Sequence, residues 1–347
     1  MAAAATTSSS GAMAPAMVVV VVLTLAVILS GGADAAGQLE VGFYNATCPE
    51  AEQIVRLETT RMVRPSPDLA AALLRLHYHD CFVQGCDASV LLDSTPSNNN
   101  AAAEKDALPN GSLRGFDAVA RVKSQLEQAC PGVVSCADVL ALMARDAVEL
   151  ARGPTWQVPL GRRDGRASAA ANCGELPPLQ GDVNQMIAAF AAKGLGVKDL
   201  VVLSGAHTLG KAHCNAFADR LYDSNNNNCS ISTDPKLDPR YADRLRMRCN
   251  TNTSDASAAA ELDPGSCARF DTSYYRHVAR RRGLLRSDAC LLDDRFTRAY
   301  VLQAASGRYD GHFFRDFAES MVKMASIGVL TGQQGEIRKQ CNVVNSS

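Results

Sequence analysis

The sequence carries no surplus of charge of either sign. Lys and Arg total 35 against 36 Asp and Glu in 347 residues, so the electrostatic footprint of a nucleic-acid partner is missing. No internal repeat is present, and alternating strand patterns are scarce. The best strand candidate, TWQVPL at 155–160, is interrupted by a proline. The cysteines lack the paired C-x-x-C spacing of a zinc ribbon. Nucleophile-elbow and zincin patterns are absent too, which leaves a hydrolase without support. Histidine is rare, with six in the chain.

What the chain does have begins at its N-terminus. Residues 17–30 (MVVVVVLTLAVILS) form an unbroken apolar run, followed by GGADAAG. The run is short for a membrane span, and its small-residue exit suits a signal-peptidase site. Two cuts fit, after Ala35 or after Gly37. The n-region lacks Lys and Arg, so an uncleaved anchor is the alternative. The reading adopted is a signal peptide at 1–37, a single folded region at 38–345 and a two-residue tail. All twelve cysteines follow the leader, as expected of disulfides formed in an oxidising compartment. Sequons at Asn45, Asn228, Asn252 and Asn345 agree with passage through a secretory route.

The region after the leader reads as helical. Ser66-Pro67 opens DLAAALLRLHYHDCF with an N-cap and a first-turn proline. Ser135-Cys-Ala-Asp138 resembles a capping box. Residues 182–193 carry apolar residues at helical spacing and stop at Gly194. Residues 116–130 and 313–327 show the same periodicity. The stretches NNNN (225–228) and TNTSDASAAA (251–260) read as surface loops.

Two histidines keep unusual company. Arg75 and His79 are four residues apart, on one face of a predicted helix. His77 points elsewhere, which argues against a two-histidine zinc site. His207 lies in LVVLSGAHTLG among small residues, which leave room for a flat, bulky group beside the imidazole.

Five segments, in order, carry a resemblance: RLHYHDCFVQGCDASVLL (75–92), VSCADVLAL, GPTWQVPLGRRDG, LVVLSGAHTLGKAHC and GEIRKQCNVVN. They closely resemble the secretory plant (class III) haem peroxidases, from about Gln38 to Asn345. The resemblance implies an all-α fold of two helical lobes sandwiching haem b, with only minor short strands. It implies reduction of hydrogen peroxide with one-electron oxidation of small phenolic donors. The protein would be a secreted monomer of the apoplast or cell wall, in preference to the vacuole, with no membrane contact after signal cleavage.

The resemblance also assigns residues. His207 would supply the proximal nitrogen to haem iron, with Asp288 as its anionic partner. Distally, His79 would move the peroxide proton and Arg75 would stabilise the developing charge. Asn110, backed by Glu104, would set the His79 tautomer, although the segment carrying them is about one residue shorter than the family pattern. Two Ca²⁺ ions are implied. One would take Asp80, Asp87 and Ser89 with the Val83 and Gly85 carbonyls, the other Thr208, Asp263, Ser266 and Asp271 with the Arg269 carbonyl. Pro177 matches the proline that helps position phenolic donors.

Disulfides Cys48–Cys130, Cys81–Cys86, Cys136–Cys341 and Cys214–Cys249 follow the family. Four cysteines are extra: Cys267 with Cys290 is the expected further bridge, and Cys173 with Cys229 is the residual pairing. At the haem edge the sequence departs from its relatives, with Leu108, Gln180 and Ala216 where aromatics are common, Tyr78 for the usual Phe and Leu262 at another aromatic position. A peroxide sensor without turnover and a calcium-stabilised structural glycoprotein are the rival readings.

Overall fold

The computed structural model describes residues 38–94, 102–223, 230–231, 233–249 and 257–346. Residues 1–37, expected to be a leader, the NNNN stretch, Cys229 and the sequons at Asn228 and Asn252 lie outside them.

Helices dominate the described residues. The first, α1 (Ala51–Val63), is followed by α2 (Asp68–Val83). Ser66 gives α2 no side-chain cap. Pro67 already has helical angles (φ −58°, ψ −28°), and the Ser66 carbonyl accepts from Leu69 N at 2.9 Å. The ring's preset φ therefore starts the helix without help from a hydroxyl. Helix α3 (Phe116–Ala129) buries Val119, Val122 and Leu126 along one stripe.

Helix α4 (Cys136–Leu150) is buried continuously from Cys136 to Val148, as a core helix flanked by α1, α2 and α3 must be. Ser135 Oγ caps it, accepting from Asp138 N at 3.1 Å. The expected reciprocal half of a capping box is replaced. Asp138 instead accepts from Tyr44 Oη at 2.7 Å, Gly161 N at 2.7 Å and Arg162 at 2.8 Å. Those bonds hold the chain just after the segment expected as a strand at 155–160, which makes one β-bridge, Leu160 to Glu40.

The chain continues through α5 (Val183–Ala192), which has a full Asp182–Gln185 capping box and stops at Gly194 with φ +76°. After α6 (Val197–Ser204) comes the 3₁₀ turn Gly205–Thr208. Two minimal antiparallel sheets follow, β1 (Lys211–His213) with β4 (Ala259–Glu261) and β2 (Tyr222–Asp223) with β3 (Ser230–Ile231). The remaining helices are α7 (Pro239–Arg248), α8 (Ser273–Ala279), α9 (Arg286–Cys290), α10 (Arg295–Ala304) and α11 (Asp310–Met324). The last begins three residues earlier than its apolar periodicity suggests.

One large apolar cluster gathers α1 to α6, α8, α10 and α11, and a second gathers α7 with Phe217, Leu221, Leu262 and Leu284. None of the described helices is long and apolar enough to cross a membrane. The four pairings Cys48–Cys130, Cys81–Cys86, Cys136–Cys341 and Cys214–Cys249 are all formed. The expected Cys267–Cys290 bridge is not. Both are free thiols, and Cys290 instead donates to the Ser287 carbonyl one turn back, at 3.1 Å. Cys173 is also a buried free thiol, so it is not available as the Cys229 partner assigned by elimination.

Candidate active site

Helix α2 presents Arg75, Tyr78, His79 and Phe82 along adjoining positions of one face. The 3₁₀ turn Leu108–Asn110, with Ser112 just after it, anchors the two polar members. Arg75 donates to the Pro109 carbonyl at 3.1 Å and to Ser112 Oγ at 3.0 Å. Between those two anchor points, Asn110 Oδ1 lies 2.6 Å from His79 Nδ1.

The neighbours of Asn110 fix the histidine tautomer. Its amide nitrogen faces two acceptors, the Glu104 carbonyl at 2.7 Å and Cys173 Sγ at 3.4 Å. The amide oxygen must then be the atom turned to His79, so Nδ1 carries the proton and Nε2 has the free lone pair. Burial, with Arg75 nearby, depresses the His79 pKa to about 3, although the Asn110 bond opposes that shift. The imidazole is therefore neutral and able to act as a base throughout the physiological range. Asn110 is itself buried with both amide donors engaged, which excludes a glycan at its Asn-Gly-Ser sequon in this fold.

Glu104 backs Asn110 through its main chain, not through its carboxylate as the resemblance implies. The carboxylate turns away and accepts from Gln84 Nε2 at 2.6 Å. Burial, with Asp87 nearby, raises its pKa to about 7.

His207 sits on the turn that closes α6. Its Nδ1 lies 2.7 Å from Asp288 Oδ1, while about a third of the side chain remains exposed. Asp288 is fully buried. It also accepts from Tyr274 Oη at 2.9 Å and, through Oδ2, from Leu285 N at 2.9 Å. Burial pushes its pKa up, but His207 and these hydrogen bonds outweigh that and hold the carboxyl below its ordinary range. Buried Arg220 secures the approach to α9 by donating to the carbonyls of Gly283, Leu284 and Leu285 at 2.6–3.0 Å.

The small residues around His207 also serve close packing. A Cβ at Gly205 would lie 2.5 Å from Tyr275 Oη and 2.6 Å from Phe313, and one at Gly210 would lie 2.8 Å from the Ala71 Cβ. They let aromatic side chains and α2 approach this segment closely.

Two oxygen-rich clusters flank the histidines. Beside His79, the Cys81–Cys86 loop brings together Asp80, Asp87 and Ser89, all buried, with Glu104 adjacent. Asp80 Oδ1, Ser89 Oγ and Glu104 Oε2 have no hydrogen-bond partner. Such unsatisfied buried oxygens cost stability unless a cation or water meets them. Gly85 is required there, because at φ +132° its Cβ would lie 2.5 Å from the Gly328 carbonyl. Its own carbonyl accepts from Asp87 N, and the Val83 carbonyl accepts from Lys193 Nζ at 3.1 Å, so each retains one lone pair.

Beside His207, Thr208 Oγ1 bonds Asp263 Oδ2 at 2.8 Å and the Arg269 carbonyl at 3.3 Å, while Ser266 Oγ bonds Asp271 Oδ2 at 2.7 Å. Asp263 Oδ1 is buried without a hydrogen-bond partner. Among the described residues no three His, Cys, Asp or Glu side chains converge as a metal cage. A cation in either cluster would therefore depend on hydroxyl and carbonyl oxygens as well, a donor set that suits calcium.

Known proteins share this chain's sequence over most of its length. A model of the family described as peroxidase matches residues 55–307. Peroxidase 1 of Oryza sativa subsp. japonica is 54% identical over 92% of this chain and 98% of its own length. Peroxidase 27 of Arabidopsis thaliana is 50% identical over 92% and 96%, and Peroxidase 39 of the same plant 48% identical over 89% and 93%. The chain belongs to the plant class III haem peroxidases.

As a haem peroxidase it acts on hydrogen peroxide, and its helical architecture is that of the family. The residues fit a haem. His207 has one nitrogen committed to Asp288 and is partly exposed, so its Nε2 would be free to hold the iron of a haem. Pro177 is half-buried just beyond the 3₁₀ segment Ala170–Glu175, and Leu108 is almost fully exposed. Tyr78 packs edge-on to His79 at 5.5 Å and against Phe82 at 4.5 Å.

Sequence reading missed several contributors. Tyr274 supports Asp288. Ser273 donates to both Asp263 and Asp271 within the proximal cluster. Gln84 and Cys173 contact Glu104 and Asn110, and Asn172 holds Gln84. Nothing local in the sequence marks these residues, because they come from segments far in sequence from the groups they meet.

Proposed function

We propose that the enzyme oxidises small phenolic donors, one electron at a time, with His79 and Arg75 as the peroxide-cleaving pair. The observation that carries this reading is the Asn110–His79 hydrogen bond of 2.6 Å, with Arg75 tied to the residues on either side of Asn110. His79 Nε2 takes a proton from peroxide and returns it to the departing oxygen. Arg75, cationic at any working pH, stabilises the negative charge that builds as the O–O bond opens. His207 would hold haem b through Nε2. Asp288 draws on the Nδ1 proton and gives the ligand anionic character. Haem b supplies the redox chemistry when bound, donating two electrons to peroxide and recovering them singly from donors.

Asp80, Asp87 and Ser89 with the Val83 and Gly85 carbonyls are read as one calcium site, and Thr208, Asp263, Ser266 and Asp271 with the Arg269 carbonyl as the other. Pro177 would orient the phenol. Residues 1–37 are read as a cleaved signal peptide ahead of a single region at 38–345, acting as a monomer in the apoplast or cell wall. Four disulfides support an oxidising destination.

The test is reconstitution with haem followed by an absorption spectrum and a peroxide-dependent assay with a simple methoxyphenol. A Soret band with phenol turnover is the expected outcome. A Soret band without turnover would overturn the donor assignment in favour of a peroxide sensor.

A further inference from the structure

The segment Ser168–Cys173 runs alongside the chain that carries Glu104 and Asn110 and is tied to it at several points, directly or through Gln84. Ser168 Oγ accepts from Glu104 N at 3.0 Å, and Ala170 N donates to the Ala102 carbonyl at 2.8 Å. Asn172 donates to Gln84 Oε1 at 2.9 Å, and Gln84 in turn donates to the Glu104 carboxylate at 2.6 Å. A further contact, from Asn110 Nδ2 to Cys173 Sγ at 3.4 Å, reaches the distal relay itself.

An asparagine amide has two N–H donors and a carbonyl that can exchange places with them by a half-turn. Here the Glu104 carbonyl takes one N–H, which still permits the group to rock about that single bond. Cys173 takes the second. Its sulfur packs with Val83 and Ala107 in a small apolar cluster, with Leu176 against it. Water is therefore a poor competitor, and a weak acceptor suffices.

We propose that Cys173 is a positioning residue for peroxide cleavage: it locks the Asn110 amide so that its oxygen stays on His79 Nδ1. It touches neither peroxide nor donor and acts only through Asn110. The thiol stays protonated, since burial and the nearby Glu104 carboxylate raise its pKa more than the Asn110 bond lowers it. It donates to the Glu104 carbonyl at 3.8 Å. This inference rests on the reading of His79 as the base.

The test uses haem-loaded protein with Cys173→Ala, Cys173→Val and Cys173→Ser, each also made in an Asn110→Ala background. The readout is the stopped-flow rate of the peroxide step, measured apart from donor oxidation. Loss of one weak hydrogen bond predicts a fall of about 3–10-fold for Cys173→Ala. Cys173→Val, which keeps the volume without an acceptor, should fall by the same factor. Cys173→Ser, which keeps an acceptor, should stay within about 2-fold. In the Asn110→Ala background none of the three should slow the step further.

A second readout is independent of turnover. In ¹⁵N-histidine spectra of the ferrous carbon-monoxide form, the His79 Nδ1–H signal should exchange with water faster in Cys173→Ala and not in Cys173→Ser. Equal losses with and without Asn110 would show a merely structural role and overturn the proposal. So would a wild-type rate in both Cys173→Ala and Cys173→Val while Asn110→Ala alone is slow. If Asn110→Ala itself leaves the rate unchanged, the distal relay on which the inference rests is overturned instead.

Discussion

Asp288 reaches His207 Nδ1 at 2.7 Å from a fully buried position, with its second oxygen fixed by the Leu285 amide. A carboxylate this well held cannot turn away from the imidazole, and its depressed pKa keeps it ionised. Asp288→Asn preserves the shape and removes the charge. The expected result is a rise in the haem reduction potential with a loss of about 10–100-fold in peroxidase activity. Spectroelectrochemical titration checks the direction, and an unchanged potential would deny the ligand its anionic character.

The two oxygen clusters make calcium removal informative. Burial raises the carboxyl pKa values of Asp80 and Asp87, and that of Asp263 to about 6. A cation binding there must displace protons, so calcium affinity should strengthen as pH rises through that range and proton release should accompany binding. Calorimetry in buffers of different ionisation enthalpy measures this release. Chelation should lower the unfolding temperature and disturb the haem spectrum, since both clusters adjoin a haem-side histidine in sequence.

His77 predicts an acid-sensitive fold. It is buried against the Cys81–Cys86 bridge, and burial, with Arg162 nearby, lowers its pKa to about 3. The unfolded chain takes up that proton near pH 6.5, whereas the native protein resists until about 3. Its contribution is fully present above about 6.5 and is lost progressively as pH falls toward 3. His77→Leu should flatten the loss of stability over that interval in urea titrations at stepped pH.

The free thiols give a chemical check on the cysteine pattern. Alkylation of the unfolded, unreduced chain should label Cys173, Cys267 and Cys290. Of these three, only Cys267 should react in the native state, because it is partly exposed while the other two are buried. Even there the reaction should be slow, as burial and Glu261 push its pKa up to about 11. Mass mapping that found Cys267 linked to Cys290 would contradict the structure.

The parts of the site legible in the sequence are those carried by one element. Arg75 and His79 share a helix face, and Ser135 and Asp182 cap helices by local rules. Asp288 and Asn110 could be assigned only through the family resemblance, since each meets its histidine across 81 and 31 residues of chain. The Cys267–Cys290 bridge failed for the complementary reason. Proximity in sequence to the same site residues says nothing about whether two thiols face one another. Gly205 and Gly210 have a packing role that the sequence did not show, since Tyr275, Phe313 and Ala71 approach them from distant segments.

The central claim is that a neutral His79, held by Asn110, moves the peroxide proton. The most direct measurement is the stopped-flow rate of peroxide cleavage in haem-loaded His79→Ala, with the absorption spectrum recorded beside it. The account predicts retained haem and a rate lower by about 10²–10⁴-fold. An unchanged rate in a variant that still binds haem would contradict it.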